Sequence, residues 1–204
     1  VNSDQSAPFD HIGERYEHAF ADRPEQVATG SWLIDQVPPG GRVLDHGCGS
    51  GTPTLVQLAG AGLEVVGVDE SRRMLELARA RVPEADLRRR DLRDLGPELG
   101  EFDAVASFFA LLMLPKRDIL PVLRALRERL RGPRLLALGM VDGDYDDTPV
   151  PFLGTTIRES AFPLRQLTDL VAEAGFEVLA RTEVEVDLDA GRSERQQFLR
   201  ARAI

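Results

Sequence analysis

Apolar positions change their period several times along the chain, and each change marks an expected element. Between Asp10 and Phe20, the residues Ile12, Tyr16, Ala19 and Phe20 fall on one helical face, with Tyr16 near its centre. A second helix is expected from Pro24 to Val37, closed by the turn Pro38-Pro39-Gly40-Gly41. Short apolar runs then alternate with helical spacings. They predict strand 42–45, helix 53–60, strand 65–68, helix 71–82, strand 86–89, strand 102–107, helix 118–130 and strand 134–139. In helix 118–130, Ile119, Val122, Leu123, Leu126 and Leu130 share a face, Asp118 is the expected N-cap and Gly132 lies near the end. An acidic loop follows Gly139 and runs to about Glu159; the next helix, 163–175, has proline at its start and glycine at its end. Segments 176–186 and 196–202 read as two closing strands, an antiparallel hairpin at a sheet edge. This alternation defines an α/β fold with a parallel sheet and right-handed crossovers.

The chemistry concentrates where the first predicted strand ends. Val43-Leu44-Asp45-His46-Gly47-Cys48-Gly49-Ser50-Gly51 reads as a buried strand running into a glycine turn, and Val65-Val66-Gly67-Val68-Asp69 as a second strand ending in a carboxylate. Together they form an adenosine-binding βαβ pattern. A dinucleotide fold uses G-x-G-x-x-G, whose third glycine lets the helix pack closely beside a pyrophosphate. Here the third glycine comes one residue early, at Gly51, and Thr52 stands where that pattern wants glycine. Pro53 suits the first turn of the following helix, where a missing N–H costs no hydrogen bond. The loop therefore suits a ligand without a pyrophosphate. Asp69 stands about 20 residues beyond the glycine run, where a carboxylate can accept from the two hydroxyls of a ribose; a helix cap ahead of Ser71 is its bland alternative.

An acidic residue, one variable residue and G-x-G-x-G, here Asp45, Gly47, Gly49 and Gly51, resemble the first motif of the Rossmann-like S-adenosylmethionine-dependent methyltransferases. The resemblance extends to the Glu173-Ala174-Gly175-Phe176 run and covers roughly residues 40–204. It implies a three-layer fold around a mostly parallel seven-stranded sheet with an antiparallel edge hairpin, S-adenosylmethionine as cofactor, and a single domain. Residues 1–40 would form an N-terminal helical cap and the loop at about 140–160 would cover the acceptor. His46 departs mildly from the small or apolar residue common at that place in the motif, and packing beside the loop is its expected role. The resemblance further implies that the glycine loop approaches the methionyl part of the cofactor, that Cys48 lines it through its backbone, and that Asp69 holds the ribose. Asp91 would accept from the adenine amine with Leu92 against the ring, or Asp91 is a solvated turn residue among Arg88, Arg89, Arg90 and Arg93. Glu70 and Met74 would flank the adenosine, with a core role as the alternative for Met74. The Ser107 backbone would face the methionyl amine, Tyr16 would close over the cofactor, and Phe108–Leu114 would line the acceptor cleft or simply fill the core.

Composition narrows the partners. The 204-residue chain carries 25 basic and 34 acidic residues, a net charge of −9 that opposes docking on a phosphate backbone. A small-molecule acceptor is the expectation, methylated at oxygen or nitrogen, by a monomer or homodimer. Cys48 is the only cysteine, which excludes an internal disulfide and fits a reducing cytoplasm. It could also be a reactive thiol. The polar, acidic stretch Asn2–Pro8 does not read as a signal peptide. The longest apolar run, Ala104 to Leu114, is shorter than the ~20 residues needed to cross a bilayer. His11 and His18, on one polar flank with Arg15, could take a proton from an acceptor, or they are solvated. Asp142, Asp144 and Asp146 have D-x-D-x-D spacing, but Asp147 and Leu153 stand where a calcium loop needs glycine and glutamate; an acidic surface loop or lid is expected, and no metal. The alternatives to methyl transfer are an NAD-dependent reductase, which Thr52 and the absence of a Tyr-x-x-x-Lys pair disfavour, and a non-catalytic ligand-binding protein of the same fold. A third is an enzyme that uses bound S-adenosylmethionine only electrostatically or structurally, as in a cyclisation.

Overall fold

The computed structural model describes residues 6–19, 23–188 and 192–204. Its centre is a seven-stranded sheet whose order is β3-β2-β1-β4-β5-β9-β8. The strands are β1 (Arg42–His46), β2 (Glu64–Asp69), β3 (Asp86–Arg89), β4 (Phe102–Phe108), β5 (Leu130–Val141), β8 (Phe176–Leu188) and β9 (Arg192–Ala203). The first five pair in parallel, while β9 runs antiparallel to both β5 and β8. Strand order reverses between β1 and β4, so their carboxyl ends diverge into loops that leave a crevice between them.

Alternate residues of the central strands enter two different cores, which is why these segments are continuous apolar runs. On one face Leu44, Val66, Val105, Leu136 and Leu138 pack with Ile119, Leu123, Leu126, Leu167 and Val171 of helices α6 (Lys116–Glu128) and α7 (Leu164–Glu173). On the other, Val43, Val65, Ala104, Ala106 and Ala137 meet Leu33, Leu55, Leu58, Leu75 and Ala78 of α3 (Pro24–Gln36), α4 (Thr54–Gly60) and α5 (Arg72–Arg81). The result is the expected helix–sheet–helix sandwich.

Four expectations require correction. The helix expected over 10–20 is two pieces, α1 (Ser6–Ile12) and α2 (Arg15–Ala19), because Gly13 takes a left-handed φ of +51°. Pro53 precedes α4 as its N-cap and does not occupy its first turn. Asp118 is not the N-cap of α6: the helix begins at Lys116 after Pro115, and Asp118 lies in its first turn. The helix ends at Glu128, and Gly132 lies in β5, at a left-handed φ of +57° next to Asp103. The segment after Gly139 is not a loop. Beyond Val141 it forms an antiparallel hairpin, β6 (Tyr145–Phe152) and β7 (Thr155–Ala161), a separate two-stranded sheet. Pro149 and Pro151 are tolerated in β6 because each strand of the pair has one unpaired edge.

The acids with D-x-D-x-D spacing serve this hairpin's attachment. Asp144 pairs with Lys116 at 2.7 Å, Asp146 accepts from the Lys116 backbone N–H and the Ser160 hydroxyl, and Asp142 pairs with Arg195. Among the described residues, no group of three His, Cys, Asp or Glu side chains could hold a metal ion, and no helix is long and apolar enough to cross a membrane.

Phe102 is fully buried at the start of β4 with the Arg42 guanidinium 4.6 Å above its ring, so it joins packing to a cation–π contact. Phe102→Ala is expected to lower the unfolding free energy by about 3–5 kcal/mol, read from denaturant titrations.

Candidate active site

The crevice at the β1/β4 divergence opens into a cavity of about 400 Å³, within the range of small-ligand sites. Its first wall is the glycine loop. Gly47 has φ +77°, and a Cβ there would lie 2.3 Å from the Ala110 Cβ, so only glycine lets the β1 loop pass the β4 loop this closely. The loop is then pinned to β2. Asp69 Oδ2 accepts from the Gly49 N–H and Oδ1 from the Ser71 N–H, both at 2.9 Å. Ser71, not Asp69, is the N-cap of α5, its hydroxyl accepting from the Met74 N–H. That hydroxyl donates in turn to Asp10 of α1 at 2.5 Å, and Asp10 also accepts from the Arg73 N–H. Helix α1 is thereby docked over the Asp69 end of the crevice.

His46 ties three strand ends together. It is completely buried, with Nε2 2.8 Å from the Leu92 carbonyl oxygen and Nδ1 3.1 Å from the Ser107 hydroxyl. A carbonyl can only accept, so Nε2 carries a hydrogen. Burial pulls the pKa of the ring down to about 4, so the imidazole is neutral and Nδ1 accepts from the Ser107 hydroxyl. It links the end of β1 to the end of β4 and to the loop after β3.

The carboxylates of the cavity are poised differently. Asp45 is 2% exposed and its Oδ2 has no hydrogen-bond partner; burial, then the charge of Asp69, raises its pKa to about 8. Asp69 is raised to about 6 by burial, against which its backbone N–H donors act. Burial also raises Glu70, whose carboxylate accepts from the Leu92 N–H. An unpartnered buried carboxyl oxygen costs stability unless something fills its open side. Asp45 Oδ2 beside a loop that admits no Cβ is thus a fit for a compact cationic group next to the glycine run. The thiol of Cys48 is buried, and that burial pushes its pKa up, which removes the thiolate a nucleophile needs.

Of the residues singled out in the sequence, Tyr16, Asp45, Gly47, Cys48, Gly49, Asp69, Glu70, Met74 and Leu92 line this cavity. Three others do not. Asp91 is held by Arg93, whose guanidinium and backbone N–H both donate to it at 2.5–2.8 Å, keeping its pKa low. Gly51 faces Leu55 and Ala78 and serves the packing of α4 and α5 on the sheet. Ser107 spends its hydroxyl on His46 behind the wall. His11 is exposed on α1 and is not part of the wall; the His18 side chain lies outside the described residues. Phe108, Phe109, Ala110, Leu112, Met113 and Leu114 do reach the cavity, with Phe109 held at a left-handed φ of +57° and its ring edge-on to Phe198 at 5.8 Å.

Several wall residues carried no sequence signal. Arg23 donates to the Thr52 carbonyl oxygen and lies over the Tyr16 ring at 5.0 Å. Gln26 donates to Thr54 at 2.9 Å, and the buried Ser50 hydroxyl has no partner. Glu159 of β7 and Glu194 and Gln196 of β9 line the cavity as well. Ser50 alone could have been found, as the variable residue inside the glycine run; the others depend on contacts between distant segments.

Comparison with known proteins agrees with this architecture. Residues 43–132 match a family model described as a methyltransferase domain. An uncharacterized methyltransferase of Synechocystis is 32% identical over 151 residues, 71% of this chain and 71% of that protein. The methyltransferase GfsG of Streptomyces halstedii is 31% identical over 160 residues, 72% of this chain and 57% of its own length; the chain thus spans little more than half of that relative. Among solved structures, magnesium protoporphyrin IX methyltransferase from Synechocystis, with bound S-adenosylhomocysteine, has a TM-score of 0.73 at 20% identity and covers 99% of this chain and 100% of its own. The chain belongs to the Rossmann-like S-adenosylmethionine-dependent methyltransferase family. Membership removes the NAD-dependent reductase as a reading.

The neutral state of His46 has a thermodynamic signature. Its folded pKa of about 4 lies below the unfolded value of 6.5, so the unfolded chain binds the extra proton between the two and stability falls as pH falls through that window. From pH 7 to pH 5 the group costs about 2 kcal/mol. The loss in denaturant unfolding is expected to be smaller by that amount in His46→Gln than in the native protein, which isolates this group from carboxylates that titrate in the opposite sense.

Proposed function

We propose that this protein transfers the methyl group of S-adenosylmethionine to a small-molecule acceptor at oxygen or nitrogen. The observation that carries the reading is the juxtaposition, in one cavity, of a glycine loop closed to any Cβ, the unpartnered buried Oδ2 of Asp45, and a half walled by aromatic and aliphatic side chains. The cofactor supplies an electrophilic methyl carbon already activated by a positive sulfur, so the protein's task is alignment and exclusion of water. Holding two reactants in line is worth on the order of 7–11 kcal/mol of barrier, enough to make positioning the main contribution.

In this reading Asp45 takes the methionyl ammonium, and Asp69 takes the ribose hydroxyls with the lone pairs left over from Gly49 and Ser71. Leu92 and Met74 hold the adenosine, with Glu70 beside them. Arg23 and Ser50, next to the α3 amino end, suit the methionyl carboxylate. Phe9, Tyr16 and Phe152 pack on one another at 6.2–6.3 Å and against Met74, bringing α1, α2 and β6 together over the adenosine side of the cavity. Magnesium-protoporphyrin and demethylmenaquinone methyltransferases among the relatives act on small molecules and support the acceptor class.

Calorimetric titration with S-adenosylmethionine, S-adenosylhomocysteine and NADH tests the cofactor: micromolar binding of the first two, with NADH silent, is expected, and NADH binding alone would overturn the reading. Asp69→Ala should weaken S-adenosylhomocysteine binding at least about tenfold while the fold survives, since charged acceptors contribute about 1.5–3 kcal/mol per bond. Unchanged affinity would remove Asp69 from the site.

Binding should also release protons. Asp45, protonated below about 8 in the free protein, becomes the charged partner of an ammonium, so its pKa falls on binding and affinity rises with pH until about 8. The check is the binding enthalpy at pH 7 in buffers of differing ionisation heat; identical enthalpies would exclude proton release, and Asp45→Asn should abolish the buffer dependence.

A further inference from the structure

Part of the cavity wall carries chemistry that the proposed cofactor contacts do not use. Glu159 on β7 and Glu194 on β9 come from different sheets and line the same space. Both are partly buried, and neither forms an ion pair with a described residue. Glu159 accepts only from the Tyr145 hydroxyl at 3.4 Å, and Glu194 accepts from the Gln196 amide at 3.0 Å. The guanidinium groups around this rim have their own acids: Arg158 pairs with Asp147, Arg195 with Asp142, and Arg117 with Asp118. Burial raises both glutamates, and the charge of Glu194 raises Glu159 further, to about 7.

Two carboxylates that share a partly desolvated space without a counter-cation are an arrangement proteins normally complete with a positive charge. The surroundings indicate the form of that charge. Phe9, Tyr16 and Phe152 line the same cavity, and aromatic faces attract organic cations. Tyr16 feels the charges of Glu194 and Glu159 as well as that of Asp69. The same cavity carries a ligand mark of its own among the described residues, the buried unpartnered Oδ2 of Asp45. With Asp45 given to the cofactor, the two glutamates are left for the acceptor.

We propose that Glu159 and Glu194 select an acceptor that carries a basic nitrogen, a small molecule with an apolar or aromatic body and one cationic amine held between the two carboxylates. The proposal rests on the methyl-transfer reading for the assignment of Asp45, and it names the chemical class of the acceptor.

The test uses the full chain, free and saturated with S-adenosylhomocysteine, and four probes of one shape: benzylamine, benzyltrimethylammonium, benzyl alcohol and benzoate. Dissociation constants are measured by ligand-observed NMR. The two cations are expected to bind at least about tenfold more tightly than benzyl alcohol, the ratio one charge-assisted contact supplies, with benzoate weakest. Glu159→Gln with Glu194→Gln, which keeps shape and removes charge, should erase that ratio and leave S-adenosylhomocysteine affinity unchanged. Equal binding of alcohol and amine, preference for benzoate, no amine binding, or a ratio that survives in the double variant would each overturn the proposal. If the double variant does not fold, the ranking of the four probes on the native chain decides. Failure of the native chain to bind S-adenosylhomocysteine would instead overturn the cofactor reading, and the probe ranking on the free chain would still decide the role of the two glutamates.

Discussion

The site depends on a neutral histidine shut away behind it. His46 has no contact with solvent, yet its two ring nitrogens join the ends of β1 and β4 and the loop after β3. These segments diverge where the sheet reverses its strand order, and diverging chain ends need a cross-tie to keep a crevice of fixed width. Burial keeps the ring neutral, and in that state Nε2 donates to the Leu92 carbonyl while Nδ1 accepts from the Ser107 hydroxyl. The same desolvation that strips His46 of its proton leaves Asp45, one residue earlier on the strand, holding one at neutral pH. Neighbouring groups of opposite acid–base character are both kept uncharged by one patch of low dielectric.

The central sheet was legible because its strands are buried on both faces. Val43-Leu44, Val65-Val66 and Ala104-Val105-Ala106 are apolar without interruption, and only a parallel sheet covered on both sides produces that pattern at such regular intervals. The glycine loop was legible for a related reason: the 2.3 Å approach of a Cβ at Gly47 to Ala110 is a constraint one residue type satisfies. The hairpin β6–β7 was hidden because β6 largely alternates half-buried with exposed positions and the two strands carry three acids and two prolines, the composition of a loop.

The site was legible in proportion to how local its contacts are. Asp69 follows directly from its strand, whereas Asp91 has a partner the sequence did not announce, Arg93 two residues on, and does not line the cavity. Arg23, Glu159 and Glu194 meet the cavity only after α3, β7 and β9 have packed, and nothing in their immediate neighbours distinguishes them from surface charge. The Ser107 hydroxyl and the Gly51 backbone also serve the frame, the first through His46 and the second by letting α4 and α5 close on the sheet, tasks no local motif announces.

The hairpin β6–β7 shares no strand pairing with the seven-stranded sheet and is anchored through side chains, Asp144 and Asp146 on Lys116 and Phe152 on the aromatic pair of Phe9 and Tyr16. Its inner surface can therefore be rewritten without shifting any register that holds the glycine loop. The two sheets are thus mechanically separable: the ribbon hangs on a few side-chain anchors, and loosening them would release one wall of the cavity while the strand ends that carry the glycine loop stay in place.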